Sequence, residues 1–132
     1  MSTSKIIDEV FSYFRKLGTS QAIDEKTQER LFTSDFQMII NGRSVLQTRE
    51  ALTPHFEHIF AQVSKIDLVL HDKIVAGDTA IMRYDLNKPE KSDSKVIAIF
   101  KFKNDQDGQW KTYEMNEVVY SVNPQCAVDV SR

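Results

Sequence analysis

From Lys65 onward the sequence reads as one long strand after another, and no other feature limits its fold as much. Ile66–Ala76 and Thr79–Leu86 flank Gly77-Asp78, a tight-turn pair. Val96–Lys103 and Trp110–Val122 flank a loop containing Asp107-Gly108, and the polar stretch Asn87–Ser94, with Pro89, separates the two pairs. Consecutive strands joined by short turns pair antiparallel. Strands this long twist, so the sheet they form must curl around an apolar filling supplied by the rest of the chain.

The filling is helical. Ile6, Ile7, Val10, Phe11, Phe14 and Leu17 recur at helical spacing and form one apolar stripe. Ser4 is expected to cap this helix and Gly18 to end it. A second helix is expected from near Ser20 to Leu31, with Ile23, Thr27, the stem of Arg30, and Leu31 on its buried side. The period then changes. Asp35–Ile40 reads as a strand, Asn41-Gly42 as a two-residue hairpin turn and Arg43–Leu46 as the return strand. A third helix places Leu52, Phe56, Ile59, Phe60 and Val63 on one face. Thr53-Pro54 fits a cap and first helical position, but Thr48 can open an earlier turn that Pro54 would kink.

Composition narrows the class. A chain of 132 residues with 41% hydrophobic and 27% charged residues suits one folded domain with its own core. That domain is expected over residues 1–122, with a loosely held tail over 123–132 after Pro124 stops the last strand. A net charge of −2 gives no field that would draw the chain to nucleic acid or an anionic membrane, so neither is expected as a partner. No apolar run approaches membrane-spanning length. Cys126 is the lone cysteine, expected as a free thiol, which points to a reducing compartment; no secretory leader is apparent in Met1–Glu9, and a cytoplasmic location is expected. No glycine-rich phosphate loop, paired-cysteine motif, nucleophile elbow or dinucleotide fingerprint occurs, so no cofactor is expected. His55 and His58 are three apart on the third helix without a third ligand in view, so no metal site is assigned. His71 is expected to face outward, and Asp35, opening its strand, to cap or turn the chain.

Helix, helix, short hairpin, helix and long strands, with Leu31-Phe32-Thr33-Ser34-Asp35-Phe36, Asn41-Gly42, the Leu52–Phe60 helix, Gly77-Asp78 and Asp107-Gly108-Gln109-Trp110, resemble the nuclear transport factor 2-like superfamily and, within it, the SnoaL-like polyketide-cyclase group. The resemblance covers roughly residues 5–122. It implies an α+β fold with N-terminal helices packed in the concave face of a strongly curved antiparallel sheet, a cystatin-like cone, with a pocket between sheet and helices. It also implies a homodimer through the outer sheet face. The superfamily holds isomerases, cyclases, hydrolases and non-catalytic modules, so the fold leaves activity open. In its ketosteroid isomerases a tyrosine on the first helix donates to a substrate oxygen, and Tyr13 falls near that place. The aspartate base those enzymes carry in the first strand has no counterpart in Met38-Ile39-Ile40-Asn41.

Strand alternation assigns the pocket wall. On Val96–Lys103 the even positions Val96, Ala98, Phe100 and Phe102 are apolar while Lys95, Lys101 and Lys103 are odd, so even faces inward. Ala80, Met82, Tyr84 and Leu86 follow by the same rule. On the last strand Trp110 matches a family position that packs inward, which carries Thr112, Glu114, Asn116, Val118 and Tyr120 inside with it. Glu114 then becomes the candidate acid–base residue, its pKa raised by burial; solvation at the rim, or pairing with Arg30 or Arg43, is the structural alternative. Tyr13, Tyr84, Asn116, Phe56, Phe100 and Trp110 are the candidate ligand-binding residues. The outer face, with Ile81, Ile97, Ile99, Met115 and Val119 among the lysines, is too apolar to remain wet and is the expected dimer surface. Two functions follow. One is a module that binds a small apolar ligand in the cone, or dimerises with its pocket plugged by Phe14, Phe56, Phe100 and Phe102. The other is a cofactor-independent isomerase, cyclase or hydrolase using Glu114.

Overall fold

The computed structural model describes residues 3–89 and 93–121. The expected tail over 123–132, with Pro124 and Cys126, lies outside the described residues. Helix α1 (Thr3–Ser20) buries Ile6, Ile7, Val10, Phe11, Tyr13, Phe14 and Leu17 along one side. It runs past Gly18, so Gly18 does not end the helix. Gly18 instead lets the segment before Asp67 approach: its carbonyl accepts the Ile66 N–H at 2.9 Å, and a Cβ there would overlap the Ile66 carbonyl oxygen. Helix α2 (Glu25–Leu31) is shorter than expected because Asp24 starts it, its carboxylate accepting the Thr27 N–H at 3.2 Å.

Strand β1 (Phe32–Ile40) follows α2 directly and turns at Asn41-Gly42 into β2 (Arg43–Leu46). Asn41 and Gly42 have φ of 50° and 80°, the left-handed pair that a two-residue hairpin turn requires. A 3-10 turn over Arg49–Ala51 leads into α3 (Leu52–Phe60). Pro54 is therefore the third residue of α3, within the first turn, where its missing N–H breaks no helical bond. An earlier turn does open after Thr48, as a 3-10 turn, and the α-helix proper begins at Leu52, so Thr53 does not cap it.

Strands β3 (Asp67–Ala76), β4 (Thr79–Asn87), β5 (Ser94–Asn104) and β6 (Trp110–Ser121) complete a six-stranded sheet in the order β2-β1-β6-β5-β4-β3. All neighbours are antiparallel except β1 and β6, which run parallel; the two are far apart in the chain and joined through the whole meander. The concave face closes on α1. Phe32, Phe36, Phe100 and Phe102 lie beneath the helix with Ile6, Ile7 and Val10, all fully buried. Phe14 stacks on Phe32 with centroids 5.8 Å apart. The α+β cone is the architecture the sequence implied. Among the described residues no helix is long and apolar enough to cross a membrane.

On β4 and β5 the inward set is the expected one: Ala80, Met82, Tyr84, Val96, Ala98, Phe100 and Phe102 are buried. On β6 it is not. Phe102 pairs with Thr112, but Lys101 pairs with Glu114, so β6 holds one extra residue at Tyr113. Thr112 faces in; beyond the bulge the odd residues Met115 and Glu117 are the buried ones.

Replacing Gly18 with alanine is expected to lower stability by roughly 1–3 kcal/mol, because the new methyl meets backbone that cannot swing aside. Urea unfolding of G18A against the parent chain measures the loss; an unchanged midpoint would mean that α1 and the Ile66 segment are not in this contact.

Candidate functional site

Between the open end of the sheet and α3 lies a cavity of about 330 Å³. Its wall is made by Phe14 of α1, Phe56 and Phe60 of α3, Met38 of β1, Leu68 of β3 and Leu86 of β4, among other apolar groups. The sequence dictates most of this. The α3 stripe turns its aromatic side toward the sheet, and the strand alternation supplies the opposite wall. Phe100 and Phe102 fill the narrow end of the cone, while Phe14 and Phe56 line the cavity without plugging it.

Among the described residues four polar ones meet this apolar wall: Glu117, Tyr84, His55 and Asn41. Glu117 is 8% exposed and, among the described residues, its carboxyl has no hydrogen-bond or ion-pair partner. Burial disfavours its charged form and pushes its pKa from 4.5 to about 7. The Tyr84 hydroxyl likewise has no hydrogen-bond partner among the described residues, and burial together with the nearby Glu117 pushes its pKa well up. His55, half-buried, has its pKa lowered by burial and then by His58. Asn41 is committed elsewhere: its side-chain amide donates to the Val119 carbonyl at 3.0 Å and accepts the Val119 N–H at 2.8 Å. Its own N–H donates to the Glu117 carbonyl at 2.9 Å. The hairpin turn thus clamps β6 where Glu117 enters the cavity.

The expected site residues divide. Tyr84 and Phe56 line the cavity. Glu114 does not. The bulge at Tyr113 turns it to the outer face, where it pairs with Lys101 at 3.3 Å, while Arg30 pairs with Glu9 instead. Asn116 also faces outward, opposite Ile99 and Ile39. Phe100 is fully buried in the core behind the cavity, and Trp110 packs half-buried at the far end of β6. Tyr13 is held in the crease between α1 and α2, its hydroxyl donating to the buried Gln28 Oε1 at 2.8 Å, away from the cavity. That crease widens into an open depression of about 910 Å³ bordered by Lys5, Glu9, Lys16 and Arg30, charges of both signs in contact with solvent. Asp35 lies mid-strand and exposed, 3.8 Å from Lys103. His71 faces outward and pairs with Asp85 at 2.9 Å.

Alternation missed Glu117 because it assumed an unbroken β6. One signal was available: Lys101 and Lys103 had already been placed outside, and a glutamate outside at 114 gives Lys101 a cross-strand partner.

A curved sheet wrapped over N-terminal helices, with an apolar cavity at the open end, defines the nuclear transport factor 2-like class of proteins. The chain belongs to the SnoaL-like domain family, whose model matches residues 18–113. A SnoaL-like protein of Jannaschia sp. CCS1, assigned as a polyketide cyclase, is similar in structure with a TM-score of 0.70 at 16% identity, covering 96% of this chain and 90% of that one. IdmH of Streptomyces antibioticus, also assigned as a polyketide cyclase, has a TM-score of 0.66 at 13% identity over 90% and 92% of the two chains. Nuclear transport factor 2 of Cryptosporidium parvum reaches 0.65 at 7% identity over 89% and 94%. No curated protein matches the sequence. Identities this low show a shared fold.

Glu117 makes stability depend on pH. Its unfolded carboxyl ionises near 4.5 and its folded one near 7. Between those values the folded state keeps a proton that the unfolded state has lost. The contribution is therefore fully present below 4.5 and falls as pH rises to about 7, by roughly 3 kcal/mol in all. E117Q is expected to match the parent's stability near pH 4.5 and to exceed it increasingly up to neutrality. Denaturant melts across that range measure the difference; a constant offset would mean that Glu117 ionises freely.

Proposed function

We propose that the domain binds a small apolar molecule in the cone cavity. The observation that carries this reading is an apolar-walled space of about 330 Å³ with a buried carboxyl in its wall that has no partner among the described residues. This is at the small end of the volumes, about 300–1,000 Å³, that hold small ligands. Burying a carboxyl without a partner costs free energy, and a ligand that meets it would offset that cost. The polyketide-cyclase assignments of two structural neighbours support an apolar, oxygen-bearing ligand.

A second reading is favoured by Glu117 alone. With a pKa near 7 it holds either protonation state at neutral pH, as a general acid or base must. The domain would then be a cofactor-independent isomerase, cyclase or hydrolase, with Glu117 in the role expected of Glu114 and Tyr84 as hydrogen-bond donor. Leu86 at the cavity wall separates binding from folding. L86W is expected to remain folded, because Leu86 is only partly buried at the cavity wall, yet to abolish the thermal shift given by apolar ligands. Retained binding in L86W would place the ligand elsewhere.

The outer sheet face is proposed as a homodimer surface. Ile74, Ile81 and Ile99 are cross-strand neighbours, as are Ile97 and Val118, and all but Ile99 are exposed in the single chain. Met115 and Val119, expected on this face, are turned inward by the bulge, and Val118 replaces them. The pairing of a self-complementary apolar patch is the usual reason for such exposure. The double substitution I81E/I97E is expected to give monomers by sedimentation while the parent sediments as a dimer; a monomeric parent would remove the proposal. The lone cysteine supports a reducing, cytoplasmic setting.

A further inference from the structure

We propose that residues 54–65, which carry most of α3, are the door of the cavity, hinged at Leu52 and Ile66 and latched shut by the Gln21 side chain. A door for a ligand presupposes the apolar-ligand reading of the cavity.

The other walls are held along their length. The strands belong to one hydrogen-bonded sheet, and α1 buries its whole apolar stripe. A nine-residue helix such as α3 is marginal on its own and depends on a covered apolar face. On α3 that face, with His55, Phe56, Ile59 and Phe60, borders the cavity rather than close-packed core, and Leu52 is the residue of the helix that is buried. Among the described residues no hydrogen bond or ion pair joins residues 54–60 to another element; apolar contacts do, such as Phe56 against Phe14 with centroids 5.9 Å apart.

The ends are fastened differently. Before the door, Leu52 is fully buried, Arg49 donates to the Phe32 carbonyl at 3.1 Å and the buried Gln28 donates to the Thr53 hydroxyl at 3.3 Å. Beyond it, the Ile66 N–H is fixed on the Gly18 carbonyl. Between these points the fastening is Gln21. Its Nε2 donates to the carbonyls of Val63 at 2.9 Å and Ser64 at 3.0 Å, using both protons of one amide. Gln21 is itself held firmly: it ends α1 in the left-handed region, φ 56°, with its N–H on the Leu17 carbonyl at 2.8 Å. Both latch bonds lie where water reaches, so water can replace them at small net cost. Val63 is buried but lies outside the main core cluster. Opening therefore releases two hydrogen bonds and one small apolar contact, and breaks no strand ladder, which is the pattern of a local opening.

The test uses the whole chain and Q21E, which keeps the side-chain length but sets a carboxylate against two carbonyls. The probe is N-phenyl-1-naphthylamine, a neutral apolar dye that brightens on leaving water. With the open form a small minority, unlatching raises its share and scarcely depletes the closed form, so entry and exit speed up together. Stopped-flow fluorescence is expected to show both rates about tenfold faster in Q21E, with Kd within about twofold. Hydrogen exchange without the dye is expected to show the amides of residues 55–63 at least about tenfold faster than those of β4 and β5 in the parent, and about tenfold faster again in Q21E with β4 and β5 unchanged. Parent amides over 55–63 as slow as those of β4 would overturn the door whatever Q21E does. Unchanged dye rates in a Q21E chain with faster α3 exchange would also overturn it, leaving the apolar-ligand reading standing. Faster exchange of β4 and β5 in Q21E would make Gln21 a support of the whole fold and overturn the latch. No binding of the dye by either chain would overturn the apolar-ligand reading and the gate with it.

Discussion

Where β5 steps from Phe102 to Lys101, β6 steps from Thr112 to Glu114. The extra residue, Tyr113, leaves two consecutive β6 side chains on the outer face, with Lys103 over the Tyr113 ring and Lys101 against Glu114. Everything downstream on β6 is inverted relative to an unbroken strand. Met115 completes the core, Glu117 enters the cavity and Val118 joins the outer apolar patch. A side-chain period of two makes this unavoidable, because one inserted residue exchanges the two faces of everything that follows. Without the bulge, Glu114 would sit above Phe100 with its lysine on the opposite side of the sheet.

The distribution of charge follows from that geometry. Lysines of β5 and β6 find acids on the outer surface: Lys95 with Asp85, Lys101 with Glu114 and Lys111 with Asp105. Exposed pairs of this kind add little stability each, but they use up the sheet's carboxylates outside. Among the described residues Glu117 is the carboxyl left inside, and its lack of a partner there is why its pKa is raised by burial alone. Asn41 holds the neighbouring backbone of β6 on both sides of Val119, so the strand cannot slide to bring Glu117 out. The same asparagine forms the hairpin turn, so one residue serves both the local bend and the placement of the site.

Much of the fold was legible before any coordinates. The α1 stripe, the Asn41-Gly42 hairpin, the apolar face of α3 and the four long strands all express local patterns of residues. Tyr84 and Phe56 were legible as cavity residues for the same reason, since their elements run without interruption. Tyr13 was misplaced because periodicity says that a helical residue is buried, but not against which neighbour; Gln28, fifteen residues away, claims its hydroxyl. Gly18 was read as a helix stop because glycine commonly ends helices, whereas here it makes room for the backbone at Ile66, which is distant in sequence.

The sequence by itself determined the order and kind of elements, the apolar filling of the cone and the absence of any strong charge on the chain as a whole, because these depend on near-neighbour spacing and composition. Tertiary structure alone decided the parallel pairing of β1 with β6, the register that admits a bulge at Tyr113, and the choice of Glu117 over Glu114 as the inward acid. Those depend on which strand lies beside which, and strand neighbours here are set by closing the sheet around α1, a constraint that no local window of residues contains.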